Sequence, residues 1–505
     1  MGAFARNGVD FVERSANGKL GAPAGCFAVL ASALMCGFMW RVRGDSGFGS
    51  MWGMFCFTVT LTLLIFALFG NRKKMSYEAI PVAVILAGIT NSGWGTLNCQ
   101  MGGYLDSSQP FTGEAAARVM PMNPFSGLWI MLLLGFGWMP LFAMFISSLF
   151  SKKKYGVRRY LVLIAVYYAV MLLFKAFAAH YILDLISPQA VEYFKTGLAD
   201  KGIDATPMAA YLKHFDNIAW AKKIPFGRNY FASIESISQA AGALACSLTA
   251  LIAFKDKITG LISLAIDFIC AVSITAADVF LIIDSDAGFF AGVNAPAFLK
   301  GGSWSLWEYG TGFLIGFFVM LLLVCLPASV TGGEGKFTYE EPFKSRNLHC
   351  LYSALLTFTV TFVLTLARPL SVRLFENLCE RGLLGEKKED IFTIAVTAGV
   401  SVIAFIIFLI IFRKNIVMRG MPVPVARRTD EFCARALPLY FLACGALYFC
   451  VGNAYAIRYP YGQIISSPTY ANTFGSTEFI VFFVAAVSFL LFYVCYGAAM
   501  KLRRK

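Results

Sequence analysis

Charge is scarce in this chain. Only 14% of its 505 residues are Asp, Glu, Lys or Arg, while 58% are hydrophobic. A soluble globular chain is nearer a quarter charged, so the shortage excludes an ordinary water-soluble domain and points to a polytopic membrane protein. Histidine is scarcer still, at three residues. The 13 cysteines include no CxxC pair and no Cys/His ligand spacing, so neither a zinc site nor a disulfide framework is expected. Most of them, among them Cys26, Cys36, Cys246, Cys270, Cys325, Cys444 and Cys495, lie in apolar runs, where cysteine behaves as a small hydrophobe. Cys99 and Cys379 fall in loops expected on one face, with no spacing motif to pair them. The phosphate loop GxxxxGK[ST] is missing, as are HExxH, GxSxG and CxxCH. Their absence argues against ATP-driven pumping by this chain alone and against the common zinc-protease, serine-hydrolase and haem readings. No metal or other cofactor is expected. Residues through Lys19 are polar and mixed in charge, and the first apolar run is followed by Arg41. A cleavable signal peptide is therefore not expected.

What is present is apolar length. A bilayer crossing needs about 20 apolar residues, and twelve stretches qualify, near 24–40, 51–70, 79–97, 126–150, 160–186, 232–254, 258–283, 309–330, 350–368, 391–412, 436–452 and 478–500. The 48 phenylalanines agree, because Phe is favourable at the bilayer centre. Basic residues cluster after every even-numbered stretch, as in Arg72-Lys73-Lys74, Lys152-Lys153-Lys154 and Arg503-Arg504-Lys505. The positive-inside rule then makes those loops and both termini cytoplasmic. The net charge of +14 is spread over these loops, which suits anionic membrane lipid rather than nucleic acid. The expected fold is an all-α polytopic bundle of about twelve transmembrane helices in a plasma membrane. It divides into two six-helix halves, 1–255 and 256–505, with an outward-facing cap near 187–231. Asp45-Ser46-Gly47-Phe48 and Asp286-Ala287-Gly288-Phe289 stand at equivalent places in the two halves, as a parallel repeat would have them.

The stretch Trp40 to Ser50 puts Arg41, Arg43 and Asp45 between two strongly apolar segments. Charge at the edge of hydrocarbon is costly and is usually paired or functional. The glycines at 44, 47 and 49 suggest a tight turn that something can approach. The plainer account is an interfacial hairpin whose arginines snorkel to headgroups. Further polar residues gather toward the outward ends of the helices: Asn91 and Trp94, Lys175 and His180, Glu235 and Gln239, Asp278, Glu308 and Arg368. Asp267 lies nearer a midpoint. Glu235 and Gln239 are four apart and share a helix face. Asp267 and Asp278, eleven apart, align over three turns. An unpaired charge at such depth costs on the order of 3 kcal/mol, so Asp267 or Asp278 is expected to pair with a neighbour, with Lys175 as first choice.

In architecture the chain resembles the permeases of the major facilitator type. It departs from them in the connection between the sixth and seventh stretches, which is only Lys255-Asp256-Lys257, and in lacking their charged signature after the second. The function expected from these residues is a secondary transporter for a small polar or anionic solute. Arg41, Arg43, Asp45, Asn91, Trp94 and Arg368 would bind the solute. Lys175, His180, Glu235, Asp267, Asp278 and Glu308 would couple an ion or proton. The alternative is a membrane-embedded transferase acting at the outer face on a lipid-linked, phosphate-bearing substrate, and a purely structural protein is a third reading.

Overall fold

The computed structural model describes residues 22–45, 51–69, 79–90, 124–280, 303–327, 358–385, 389–416 and 437–444, with isolated positions at 330, 355, 356, 483 and 487. Every regular element among the described residues is helical. In chain order they are α1 (Ala22–Asp45), α2 (Met51–Phe69), α3 (Ala79–Thr90), α4 (Pro124–Phe136), α5 (Pro140–Leu149) and α6 (Val157–Ile186). Three short helices follow, α7 (Pro188–Asp200), α8 (Pro207–Lys213) and α9 (Ile218–Ala221). Then come α10 (Gly227–Ala253), α11 (Lys257–Ala277), α12 (Ser303–Cys325), α13 (Arg368–Glu380) and α14 (Glu389–Ile416).

Among the described residues, five helices are long and apolar enough to cross a membrane, within α1, α6, α10, α11 and α12, and α4 with α5 makes a sixth if the bent pair is one crossing. That length and apolarity make the chain compatible with an integral membrane protein. α6 turns Leu161, Leu172, Leu173 and Phe177 outward, as a hydrocarbon-facing helix does.

Four features differ from the reading of the sequence. Residues 126–150 form two helices bent by 46° rather than one straight span. Pro140 opens α5, and proline has no N–H to continue the preceding ladder. A Cβ on Gly135 would stand 2.7 Å from the Ala271 Cα, and one on Gly137 would stand 2.7 Å from the Ala240 backbone nitrogen. The broken end of α4 is thus pressed between α10 and α11 in a space that only glycine leaves open.

The other three concern helix ends. α1 runs through Gly44 to Asp45, so Arg41 lies on a helix face and not in a glycine turn; a single glycine costs a helix only about 1 kcal/mol. α10 begins at Gly227, which trims the cap to the segment carrying α7, α8 and α9. Arg368 does not close its span, because a π-helical stretch, Thr359–Ala367, continues directly into α13. Residues 46–50 and 281–302, which hold most of the proposed internal repeat, lie outside the described residues, as do most of the last two expected spans and Cys99.

Among the described residues, the most extensive helix pairing joins α1 to α12. Gly312 and Gly316 lie one turn apart on α12, and a Cβ on Gly316 would meet the Ser32 carbonyl oxygen at 2.5 Å. One on Gly312 would sit against the Cys36 carbonyl. Small residues at this spacing let two helix backbones approach closely, which drives helix association in lipid. Ser32 Oγ uses that approach to donate to the Gly316 carbonyl at 2.8 Å.

At the basic-loop end, Asp256 ties two connections together. It caps α11 through the Thr259 N–H at 3.3 Å and accepts from the Thr259 hydroxyl at 2.8 Å and the Tyr155 hydroxyl at 3.1 Å. Ser151 donates to the same carboxylate. Burial above all pushes the Tyr155 phenol above its ordinary range, so it serves as a donor there.

Candidate functional site

The first turns of α12 place Trp307 and Glu308 side by side, and each reaches a different helix. Trp307 Nε1–H donates to Asp278 Oδ1 at 2.7 Å, just past the end of α11. Arg41 Nη1 donates to Glu308 Oε2 at 2.8 Å, with both side chains buried. Arg41 therefore turns into the bundle and does not snorkel. Two residues expected to serve different roles, solute binding and ion coupling, are partners of one ion pair. Asp278 thus has a polar partner on a neighbouring helix, the indole of Trp307, while Lys175, the first choice for it or for Asp267, pairs elsewhere.

The partner of Lys175 comes from the cap. Lys175 lies in a π turn, Phe174–Ala178, within α6, and the extra residue in such a turn re-aims the side chains around it. Its Nζ donates to both carboxylate oxygens of Asp216 at 2.8 Å. The Tyr211 hydroxyl donates to Asp216 Oδ1 at 3.1 Å. Burial first, then the charge and hydrogen bond of Asp216, hold the Tyr211 phenol well above the usual phenol range, so it stays a donor. Asp216 itself has φ of 53°, a left-handed conformation that non-glycine residues adopt at a cost.

His180 braces this corner. Its Nε2 lies 2.9 Å from the Lys175 carbonyl and its Nδ1 lies 2.8 Å from the Tyr230 hydroxyl. A carbonyl only accepts, so Nε2 carries the proton and the neutral ring satisfies both contacts, with Nδ1 accepting from Tyr230. His180 therefore fastens Lys175 to α10. Aromatic packing seals the cap above it: Tyr211 against Phe231 with centroids 4.5 Å apart, Phe194 stacked on Tyr230 at 4.5 Å, and His214 stacked on Trp220 at 3.8 Å.

Asp267 is placed by the hairpin of α10 and α11. Ser247 and Ser263 are hydrogen-bonded at 3.0 Å across it, and Asp267 follows Ser263 by one turn. It is 1% exposed, and its Oδ2 has no hydrogen-bond partner among the described residues. One turn further, Ala271 meets Gly135 of the broken helix pair. On α10, Gln239 meets Gly137 from the same break. Gln239 Nε2 donates to Glu235 Oε1 at 3.0 Å, as their spacing implied, while its Oε1 has no partner among the described residues. Tyr167 packs its ring against Gly242, and its buried hydroxyl likewise has no partner there. Asp267, Gln239 and Tyr167 thus lie on three helices, two of which press against the interruption of a fourth.

Sequence reasoning missed Asp216, Tyr211 and Tyr167. Asp216 and Tyr211 stood in a cap whose sequence reads as polar, with a helical pattern around Met208–Phe215 and several aromatics but no sign of a partner for Lys175, and Tyr167 stood in an apolar run where tyrosine passes for core. The side chains of Arg43 and Asp45, and all of Asn91 and Trp94, lie outside the described residues. Arg368 is partly buried at the start of α13. The chain matches no protein-family model, and comparison with curated proteins and with solved structures found no match.

Proposed function

We propose that the chain is a secondary transporter for a small polar or anionic solute, with Asp267 as the carboxyl group that couples an ion or proton. The observation that carries this reading is the carboxyl of Asp267, sealed inside the bundle without a partner for Oδ2 among the described residues. A charge in such a place is costly, so its ionised form calls for a cation brought in from solution. Its neighbour is an interrupted helix, and carriers build substrate and ion sites at helix breaks, where irregular backbone lines a cavity. Gln239 and Tyr167 add polar atoms that a bound solute or ion can satisfy. In this reading the cap faces outward, both termini are cytoplasmic, and the plasma membrane with its lipids is the setting.

The transferase alternative needs arginines open to a phosphate, and it is weakened because Glu308 already engages Arg41. The ion pair and the Trp307–Asp278 bond read better as ties that hold α1, α11 and α12 together while other helices move.

Uptake into proteoliposomes tests the proposal. The purified chain, given labelled carboxylates, amino acids or sugars under an imposed proton or sodium gradient, is expected to accumulate one of these classes above the level of protein-free vesicles. Accumulation of none under either gradient would remove the transporter reading.

A further inference from the structure

We infer that Lys175, braced by His180, forms a receptor for the carboxylate of a small solute, and that Asp216 of the cap fills this receptor when the cap is closed. The inference rests on the transporter reading only in making this receptor the solute's entry site on the cap side.

The two halves of the contact are built differently. The receptor half is fixed. The Lys175 side chain is 5% exposed, its backbone carbonyl is held by His180, and His180 is held by Tyr230. The occupant half is loosely held. The Asp216 side chain is 45% exposed, and its backbone has the left-handed φ described above, in a turn between α8 and α9. Water, and so a dissolved carboxylate, reaches the occupant without first crossing the cap.

The donor set fits a carboxylate. Lys175 Nζ lies 2.8 Å from both oxygens of Asp216, and Tyr211 adds a third contact at 3.1 Å. The Phe215 ring, 6.0 Å from Nζ, and the His180–Tyr211 edge contact at 5.1 Å wall the site with aromatic groups. A single planar anion of this size meets both Nζ contacts now in use, while the Tyr211 hydroxyl moves with the cap.

The asymmetry also gives a reason for exchange. A buried ammonium left without an anion is destabilising, so lifting the cap from Lys175 costs less when another carboxylate replaces Asp216. A solute carboxylate supplies that replacement, and solute then favours opening. This is coupling between two events through one shared group.

The test uses the full chain in detergent, with succinate as the probe and sulfate as the control anion. Hydrogen exchange of residues 207–217 reports whether the cap is docked. Succinate is expected to speed that exchange about tenfold in the native protein, whereas sulfate leaves it unchanged. Asp216→Asn should exchange fast without any anion and bind succinate roughly tenfold more tightly than the native protein. Adding Lys175→Met to Asp216→Asn should abolish the binding. Succinate that leaves native exchange unchanged would overturn the inference, as would binding that survives Lys175→Met. If Asp216→Asn fails to fold, the native protein alone decides. Neither readout involves flux, so a failure here is distinct from a failure to transport.

Discussion

Glu308→Gln is expected to lower the stability of the folded protein by about 3–5 kcal/mol, the cost of removing one partner from a buried ion pair. The Arg41–Glu308 contact is short at 2.8 Å, and the Glu308 side chain is almost fully enclosed. An amide in its place removes the formal negative charge that faces the Arg41 guanidinium at 2.8 Å. Arg41→Met should cost a similar amount by removing the same buried ion pair from the other side. The double variant Arg41→Met/Glu308→Met should recover much of the loss, because it removes both charges and fills the space with hydrocarbon. Arg41→Lys keeps the charge but not the planar fork of the guanidinium and should fall in between. Unfolding of the purified variants in detergent reads all four. Arginines that merely reach for headgroups would let Lys stand in freely and would make Glu308→Gln silent.

The second large effect is expected at the α1–α12 seam. Gly316→Ala brings a methyl group to 2.5 Å from the Ser32 carbonyl oxygen, and that neighbour is backbone, which cannot rotate away. The helices must separate, and the Ser32–Gly316 hydrogen bond lengthens with them. Overpacking of this kind costs about 1–3 kcal/mol for small additions, and Gly312→Leu, which adds a far larger side chain at the closest point, is expected to yield no folded protein. Gly399 is the control: nothing lies within 4 Å of its would-be Cβ, so Gly399→Ala should be neutral or stabilising by up to about 1 kcal/mol.

The long helices were legible as apolar runs. Those near 24–40, 160–186, 232–254, 258–283 and 309–330 all recur as α1, α6, α10, α11 and α12, because hydrocarbon length leaves a plain signal. The hydrogen bond from Gln239 to Glu235 was legible too, since four-residue spacing fixes a helix face. The break between α4 and α5 was not, although Gly135, Gly137 and Pro140 were in view, because an apolar average smooths over residues that interrupt a helix without being polar. The α1–α12 seam was written in the sequence as Gly312-Phe313-Leu314-Ile315-Gly316. A reading that followed charge passed over it.

The pairing of charges was the least legible feature. Lys175 and Asp216 are brought together by the fold of the cap, and nothing local to either residue announces the other. Arg41 and Glu308 were each singled out, but their separation of 267 positions gave no ground for joining them.

The central claim is that Asp267 carries the coupling ion, and one comparison tests it most directly. Asp267→Asn removes the ionisable group while keeping the side chain's size. Reconstituted into vesicles, this variant should still exchange labelled for unlabelled solute across the membrane, since exchange needs no net ion movement. It should lose accumulation of that solute against a gradient. Accumulation by Asp267→Asn equal to that of the native protein would contradict the account.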